Sequence, residues 1–385
     1  MIYSHKSIEL EYYIGEGISP VHQDISDLDK HFQIRASLYR LLGLIPNFFK
    51  GKNIIEVAPG SGHNSIYTAT LLPRTYDLVE PNPLGRKDIS KIFSSLSIEH
   101  TKPNIFPQCI EDFNIDKLYD IVICEGWLGG IIDYEKSMLV KLSSFVKPGG
   151  VMLITFFSPI GGMATFLRRL LGYRLISKKD QMNQRTSILK KAFVSHLDKL
   201  SSMSRSHEHW IQDCILNPHI YVGILTPHIC TEILGDEFVI YQSVPRFATD
   251  WRWYKSLYGK QRKLTKNFLA EYDTISHCMI DFRMDGVKRS IEKNKELEKI
   301  CFDFAATVKN NENLGYGAYM KKVEPLLSKI IGNIKPDLPQ TTKKALHEAS
   351  ILLKKKVVEI DDVAKMSKFS SFFGREQCYL SITKG

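Results

Sequence analysis

The chain has 385 residues, of which 43% are hydrophobic and 24% charged, and a formal net charge of +10. That hydrophobic share is ordinary for a soluble protein and ample for one elaborated domain or for two to three smaller ones. No 18-residue uncharged apolar run is present, which excludes a predicted membrane-spanning helix, and the start, with Lys6, Glu9 and Glu11, carries no signal-peptide core.

Seven cysteines are scattered, at positions 109, 124, 214, 230, 278, 301 and 378, with no C-x-x-C pair. An odd, dispersed set predicts reduced thiols and a cytoplasmic protein. The charge is uneven. Residues 1–160 hold 15 basic and 18 acidic residues, and the remainder holds 37 and 24. A basic remainder can attract a phosphorylated sugar, a nucleotide-sugar, an anionic lipid head group or nucleic acid. For most single lysines a solvated helix face is the simpler reading.

In chain order, Tyr12, Tyr13, His22, Gln23 and Asp24 precede a predicted helix over Leu28–Leu42, with Gly43 as its stop. Then comes N-I-I-E-V-A-P-G-S-G, residues 53–62. A short apolar run (Ile54, Ile55, Val57) ending in a small, Gly-rich turn reads as a buried parallel strand, and His63–Leu72 reads as the helix after it. Gly60 and Gly62 permit a tight turn and a close approach of ligand to backbone. The amides at the helix start suit a nucleotide-like ligand. Tyr76–Glu80 reads as a second strand ending in an acid, and a carboxylate there can accept both hydroxyls of a ribose.

The glycine spacing is not the G-x-G-x-x-G of dinucleotide enzymes, and an acid, Glu56, sits inside the strand end. Here the chain resembles the class I S-adenosylmethionine-dependent methyltransferases, whose first motif is E-x-G-x-G-x-G. It stands in this sequence as Glu56, Ala58, Gly60 and Gly62, with Ala58 in place of the first glycine. The resemblance implies S-adenosyl-L-methionine as cofactor, with Glu56 facing its amino group, and Glu80 and Asn82 on the ribose side. It also implies an α/β fold, a seven-stranded Rossmann-like methyltransferase sheet with a helical cap formed by insertions.

The resemblance continues to about residue 157. Glu111 or Asp112, in Cys109–Phe113, would meet the adenine amino group. Tyr119–Cys124 would be the fourth strand, and Glu125 and Trp127 after it are candidates for acceptor contact or for walling the cofactor. The N-P-P-Y sequence of amino-directed nucleic-acid methyltransferases is absent. Helix Tyr134–Phe145, a K-P-G-G turn at 147–150 and strand Val151–Phe157 follow.

Beyond that point we expect a sixth strand over Glu237–Ser243 and a seventh over Gln377–Thr383, with insertions between. The expected organisation is an N-terminal helical lid (1–50), a cofactor-binding core (51–160), an acceptor-side insertion (161–230), a core strand (231–244), a helical insertion subdomain (245–372) and a final core strand (373–385). Helices are predicted over Met163–Leu171, Ser256–Ser276, Asp285–Val308, Thr342–Lys356 and Asp362–Lys368, the last capped by Asp361. Met163–Leu171 has amphipathic spacing and suits packing better than a membrane surface.

Five of the twelve histidines and three of the four tryptophans lie between 196 and 253. Aromatic, histidine and arginine side chains together suit a sugar or heterocycle acceptor. Candidate acceptor contacts are His22, Trp210, Arg246, Trp251 and Arg252, and the arginines can grip an anion with two prongs. Methyl transfer to a hydroxyl needs a proton acceptor. A histidine, whose usual pKa is about 6.5, or a carboxylate can serve, so His209, His219, His228, Asp213 and Asp250 are the candidates. Each also has an ordinary structural role open to it. No metal is expected, because His207 and His209 are separated by one residue and no H-E-x-x-H or cysteine pair supports them.

The expected function is methylation of a hydroxyl or carboxyl of a small molecule, with a surface-saccharide precursor as the first choice. An RNA or other nucleic-acid methyltransferase and a non-catalytic cofactor binder are the alternatives. The oligomeric state is left open.

Overall fold

A computed structural model describes residues 8–20, 22–128, 132–177, 179–200, 203–218, 225–247, 249–259, 263–310, 316–334 and 336–385. The strands are β1 (Asn53–Val57), β2 (Thr75–Val79), β3 (Asn104–Phe106), β4 (Tyr119–Cys124), β5 (Val146–Phe157), β6 (Phe238–Val244) and β7 (Gln377–Lys384). The helices are α1 (Ile8–Gly15), α2 (Leu28–Leu41), α3 (Ser65–Thr70), α4 (Pro83–Ser95), α5 (Ile132–Ser144), α6 (Met163–Gly172), α7 (Met182–Leu197), α8 (His207–Trp210), α9 (Pro227–Leu234), α10 (Leu264–Ile275), α11 (Ile291–Asn310), α12 (Tyr316–Ile334), α13 (Gln340–Lys354) and α14 (Ile360–Ala364). The chain divides into two compact units, Met1–Phe156 with Ile224–Tyr272 and Gln377–Gly385, and Phe157–Gly223 with Asp273–Glu376.

The first unit is built on one sheet of order β3-β2-β1-β4-β5-β7-β6. Strands β3, β2, β1, β4 and β5 run parallel, and β6 and β7 pair antiparallel. All six residues of β4 are buried, as are four of five in β1 and in β2, and these strands are mostly apolar, each carrying one buried acid: Glu56, Asp77 and Asp120. Edge strand β6 alternates buried and more open residues. The chain leaves β1 toward β2 and β3 on one side, then returns to β4 on the other. That reversal opens a crevice beyond the carboxyl ends of β1 and β4, where open α/β sheets bind ligands.

Local chemistry explains where the elements start and stop. Asp27 caps α2 by accepting from the Lys30 amide at 2.9 Å, and Gly43, at φ 78°, turns the chain after it. The K-P-G-G stretch does not precede β5 but lies within it. Tyr119 pairs with Val146 and Ile121 with Val151, so Lys147–Gly150 is looped out as a bulge, with Gly149 at φ 74°. Helix α10 begins at Leu264, eight residues later than the spacing predicts, because Gly259 at φ 54° breaks the run.

The second unit is helical. Helix α6 is buried on every side rather than on one face, including Arg168 and Arg169. Arg168 donates to the carbonyl of Phe372 at 2.8 Å and lies 3.8 Å from the Phe373 ring centroid, and Arg169 donates to the carbonyl of Asn217 at 2.9 Å. Backbone carbonyls thus accept from the Nη groups of both guanidiniums, and burial pushes the Arg168 pKa down to about 9. Helix α8 is a single turn that passes into a π-helical turn over Ile211–Leu216. Helix α11 starts at Ile291 rather than near 285, with the Ser290 carbonyl accepting from the Asn294 amide at 3.2 Å. Helix α14 is capped by Glu359 with Asp362, not by Asp361: the Glu359 amide donates to the Asp362 carboxylate at 2.9 Å.

Candidate functional site

The loop from β1 to α3 holds three left-handed residues, Ala58 (φ 56°), Gly60 (φ 59°) and Gly62 (φ 77°). Such angles favour glycine, so Ala58 sits where a side chain is least welcome. At Gly62 a Cβ would lie 2.7 Å from Ile89 Cγ1, and at Gly85, on α4, it would lie 2.7 Å from the Gly60 carbonyl oxygen. The loop and α4 therefore pack backbone against backbone.

Glu80 follows β2 and is buried. One carboxylate oxygen accepts from the Gly60 amide and the other from the Asn82 amide, both at 2.8 Å. Burial pushes its pKa up to about 7 despite those two donors. Asn82 caps α4 by accepting from the Leu84 amide at 3.0 Å and donates to the carbonyl of Ile18 at 3.0 Å. The Ser61 amide donates to the carbonyl of Pro20, also at 3.0 Å. His22 lies 3.1 Å from Asp88, and its ring packs 4.9 Å from that of His63. Ile18, Pro20 and His22 thus lie across the glycine loop and the start of α4.

Glu56, in β1, is buried, and the Tyr76 hydroxyl donates to it. Burial, reinforced by the nearby charge of Glu125, pushes Glu56 up to about 7. Glu125 itself is held by Arg35 of α2, whose Nη1 and Nη2 donate to its two oxygens at 2.9 and 2.6 Å. Arg35 also donates to the Tyr39 hydroxyl at 3.3 Å, and Tyr39 bonds Thr68 at 2.6 Å. Glu125, read from sequence as an acceptor or cofactor contact, is therefore engaged by this guanidinium. Trp127 packs edge-on against Tyr134 at 5.8 Å, and the Tyr134 hydroxyl donates to Glu111. Asp112 is exposed.

The acceptor-side candidates divide between the units. In the first, His228 of α9 packs edge-on against Tyr272 at 6.0 Å. Asp250 accepts from Arg252 Nε at 2.8 Å, Arg246 donates to the carbonyl of Leu41 at 3.3 Å, and Trp251 is exposed. In the second, Trp210 is buried, His209 lies on α8 with its amide bonded to Ser206, and Asp213 pairs with Arg205 at 2.7 Å. His219 lies outside the described residues. Among the described residues no group of three His, Cys, Asp or Glu side chains could hold a metal ion.

Sequence reading missed Arg35, Tyr39, Tyr76, His63 and Gly85. The signal for the first two was present: His31, Arg35 and Tyr39 are spaced i, i+4, i+8 and form the buried face of α2. Nothing in the sequence pairs Arg35 with a residue 90 positions away.

No family model matches the sequence, and no curated protein matches it. Solved structures match in part. An S-adenosylmethionine-dependent methyltransferase from Clostridium acetobutylicum is 20% identical, covering 36% of this chain and 55% of its own, with a TM-score of 0.30. The magnesium protoporphyrin IX methyltransferase of Synechocystis, solved with bound SAM, is 16% identical over 38% of this chain and 73% of its own, at 0.31. PKMT2 from Rickettsia typhi, in complex with AdoHcy, is 14% identical over 62% of this chain and 50% of its own, at 0.41. This chain spans about half the length of the Clostridium and Rickettsia proteins. The fold assignment rests on the chain's own topology: with strand order 3-2-1-4-5-7-6, a glycine loop after β1 and an acid after β2, this is the class I methyltransferase fold.

Proposed function

We propose that the chain is an S-adenosylmethionine-dependent methyltransferase acting on a hydroxyl or carboxyl oxygen of a small molecule. The observation that carries this is Glu80, a buried carboxylate after β2 that is tied through the Gly60 amide to the glycine loop. A ribose diol is the ligand group whose donors suit such an acid. The donor set fits the rest of the cofactor too. Glu56 is a second buried acid at the carboxyl end of β1, and Glu125, the acid beside it, already has its cation in Arg35. Glu56 thus has the charge to receive an ammonium group. S-adenosylmethionine supplies, when bound, an electrophilic methyl on a cationic sulfur.

The work left to the protein is positioning. The acceptor oxygen must meet the methyl opposite the sulfur at near-attack distance, and its proton must leave. Of the base candidates in the first unit, Asp250 is engaged by Arg252. His228, half-buried against Tyr272, is our choice for the proton acceptor. An anionic acceptor such as a phosphorylated sugar suits the chain's positive charge.

The test is calorimetry with S-adenosylmethionine, followed by incubation with methyl-labelled cofactor and fractionated cell extract. Label entering small soluble sugars or lipid-linked material supports the proposal. No calorimetric binding refutes it, and binding without transfer to any fraction identifies a non-catalytic binder. The second unit holds 29 basic and 19 acidic residues, against 23 and 23 in the first, and that surplus is what an RNA acceptor would need. Label in RNA, with binding that falls steeply with salt, would select that reading.

A further inference from the structure

Residues 246–266 differ from the rest of the first unit. They hold seven basic residues and one acid, Asp250, while the remainder of that unit holds 16 basic and 22 acidic residues. The ends of the segment are pinned. Phe247 and Phe268 are buried with their rings 5.8 Å apart, and Phe247 packs on Tyr272 at 5.1 Å. Between those anchors four large aromatic side chains turn outward. Trp251 is 94% exposed, Trp253 68%, Tyr254 71% and Tyr258 75%. All six residues from Trp251 to Ser256 are exposed.

Two indoles and two phenols left in water on a loop with buried ends mark an interaction surface. Its chemistry narrows the partner. The Lys255 ammonium lies 5.4 Å from the Trp253 ring centroid, and Lys263 and Lys266 are exposed close by in sequence. Tryptophan and tyrosine partition to the bilayer interface, where the ring meets acyl chains and the polar edge meets water. Lysine and arginine are drawn to anionic head groups. Single-stranded nucleic acid also takes aromatic and basic side chains, but it stacks along a charged groove. At 94% exposure Trp251 has no groove wall around it among the described residues.

We propose that residues 249–259 are a membrane-docking loop that seats on a bilayer surface rich in anionic phospholipid. Trp251 and Trp253 enter the head-group region, and Lys255, Lys263 and Lys266 meet the phosphates. The arrangement lets an otherwise acidic unit approach an anionic surface through one segment. It does not depend on the methyl-transfer reading.

The test uses the full chain without cofactor and sedimented vesicles, either of phosphatidylcholine alone or with about one third phosphatidylglycerol. Expected are at least tenfold stronger partitioning onto the anionic vesicles, a blue shift of tryptophan emission, and quenching by brominated acyl chains. The variant carrying Trp251→Ser and Trp253→Ser should partition about tenfold less and lose the quenching, with an unchanged melting temperature. Replacing Lys255 with Gln should weaken partitioning about fivefold. The proposal fails if the double variant binds anionic vesicles as well as the parent does, which would assign the attraction to basic residues elsewhere. It also fails if the parent ignores vesicles, whether because it binds single-stranded RNA instead or because the loop dimerises the chain in a sedimentation measurement.

Discussion

Arg35 and Glu125 are 90 residues apart in sequence and meet as a buried, two-pronged ion pair at 2.9 and 2.6 Å. The pair ties helix α2 to the residue after β4. Burial works against the guanidinium's charge, but the Glu125 carboxylate, together with Tyr39 and Tyr379, more than offsets it and holds the Arg35 pKa well above its ordinary value. Replacing Arg35 alone by Met should destabilise the protein by about 3–5 kcal/mol, because Glu125 is left buried without its cation. Replacing both, with Glu125→Leu, should recover most of that loss. Urea unfolding of the two single variants and the double checks this, and purely additive effects would contradict it.

Glu80 joins the glycine loop to the end of β2. The Glu80→Ala substitution removes the acceptor of both the Gly60 and Asn82 amides and the acid assigned to the ribose. Binding of S-adenosylmethionine should weaken roughly tenfold to a hundredfold, the range for loss of hydrogen bonds to a charged group. Unchanged calorimetric affinity would refute the ribose assignment. Glu80→Gln keeps one acceptor oxygen and should fall between the parent and the alanine variant.

The two buried acids make stability depend on pH with a definite sign. Glu56 and Glu80 are both raised from 4.5 to about 7 by burial. In that window the folded chain keeps protons that the unfolded chain has released. Their contribution is therefore most favourable below about pH 4.5 and is lost as pH rises through about 7. The ligand-free protein should melt several degrees lower at pH 8 than these groups allow at pH 6, and Glu56→Gln should flatten that fall. Binding of a cation beside Glu56 should release a proton near neutrality. Calorimetry in buffers of different ionisation enthalpy measures it, and no buffer dependence would place the ligand's charge elsewhere.

The glycine loop tolerates different changes at its two ends. Gly62→Ala puts a Cβ at φ 77° and 2.7 Å from Ile89 Cγ1, so both the backbone and the contact oppose it. A loss of about 1–2 kcal/mol is expected from the backbone alone. Trimming Ile89 to Ala should relieve the clash without restoring the backbone term. Ala58→Gly removes a side chain already held at φ 56° and should be neutral within about 1 kcal/mol. Thermal melting of the three variants tests the contrast.

The cofactor side of the fold was legible in the sequence because its signals are local. A buried parallel strand is a short apolar run, a tight turn is written in glycines, and the acid of β2 follows 18 residues after Gly62. Strands β6 and β7 could be placed within one residue at their ends for the same reason. The bulge inside β5 was not legible, since a K-P-G-G sequence codes for a turn whether or not its flanks pair with one neighbour.

Sequence alone determined the strand-loop-helix at 53–70, the acids at Glu56 and Glu80 and the helical character of the insertions, because periodicity and turn chemistry act over a few residues. Tertiary structure alone decided the rest. It decided that Arg35 takes Glu125, that α6 buries both its arginines, and that the aromatic run at 251–258 faces water rather than a pocket. The physical reason is that a side chain's partner is set by which distant segments the sheet order brings beside it. A charge or an indole costs little in water and much in an apolar interior until that neighbour is fixed.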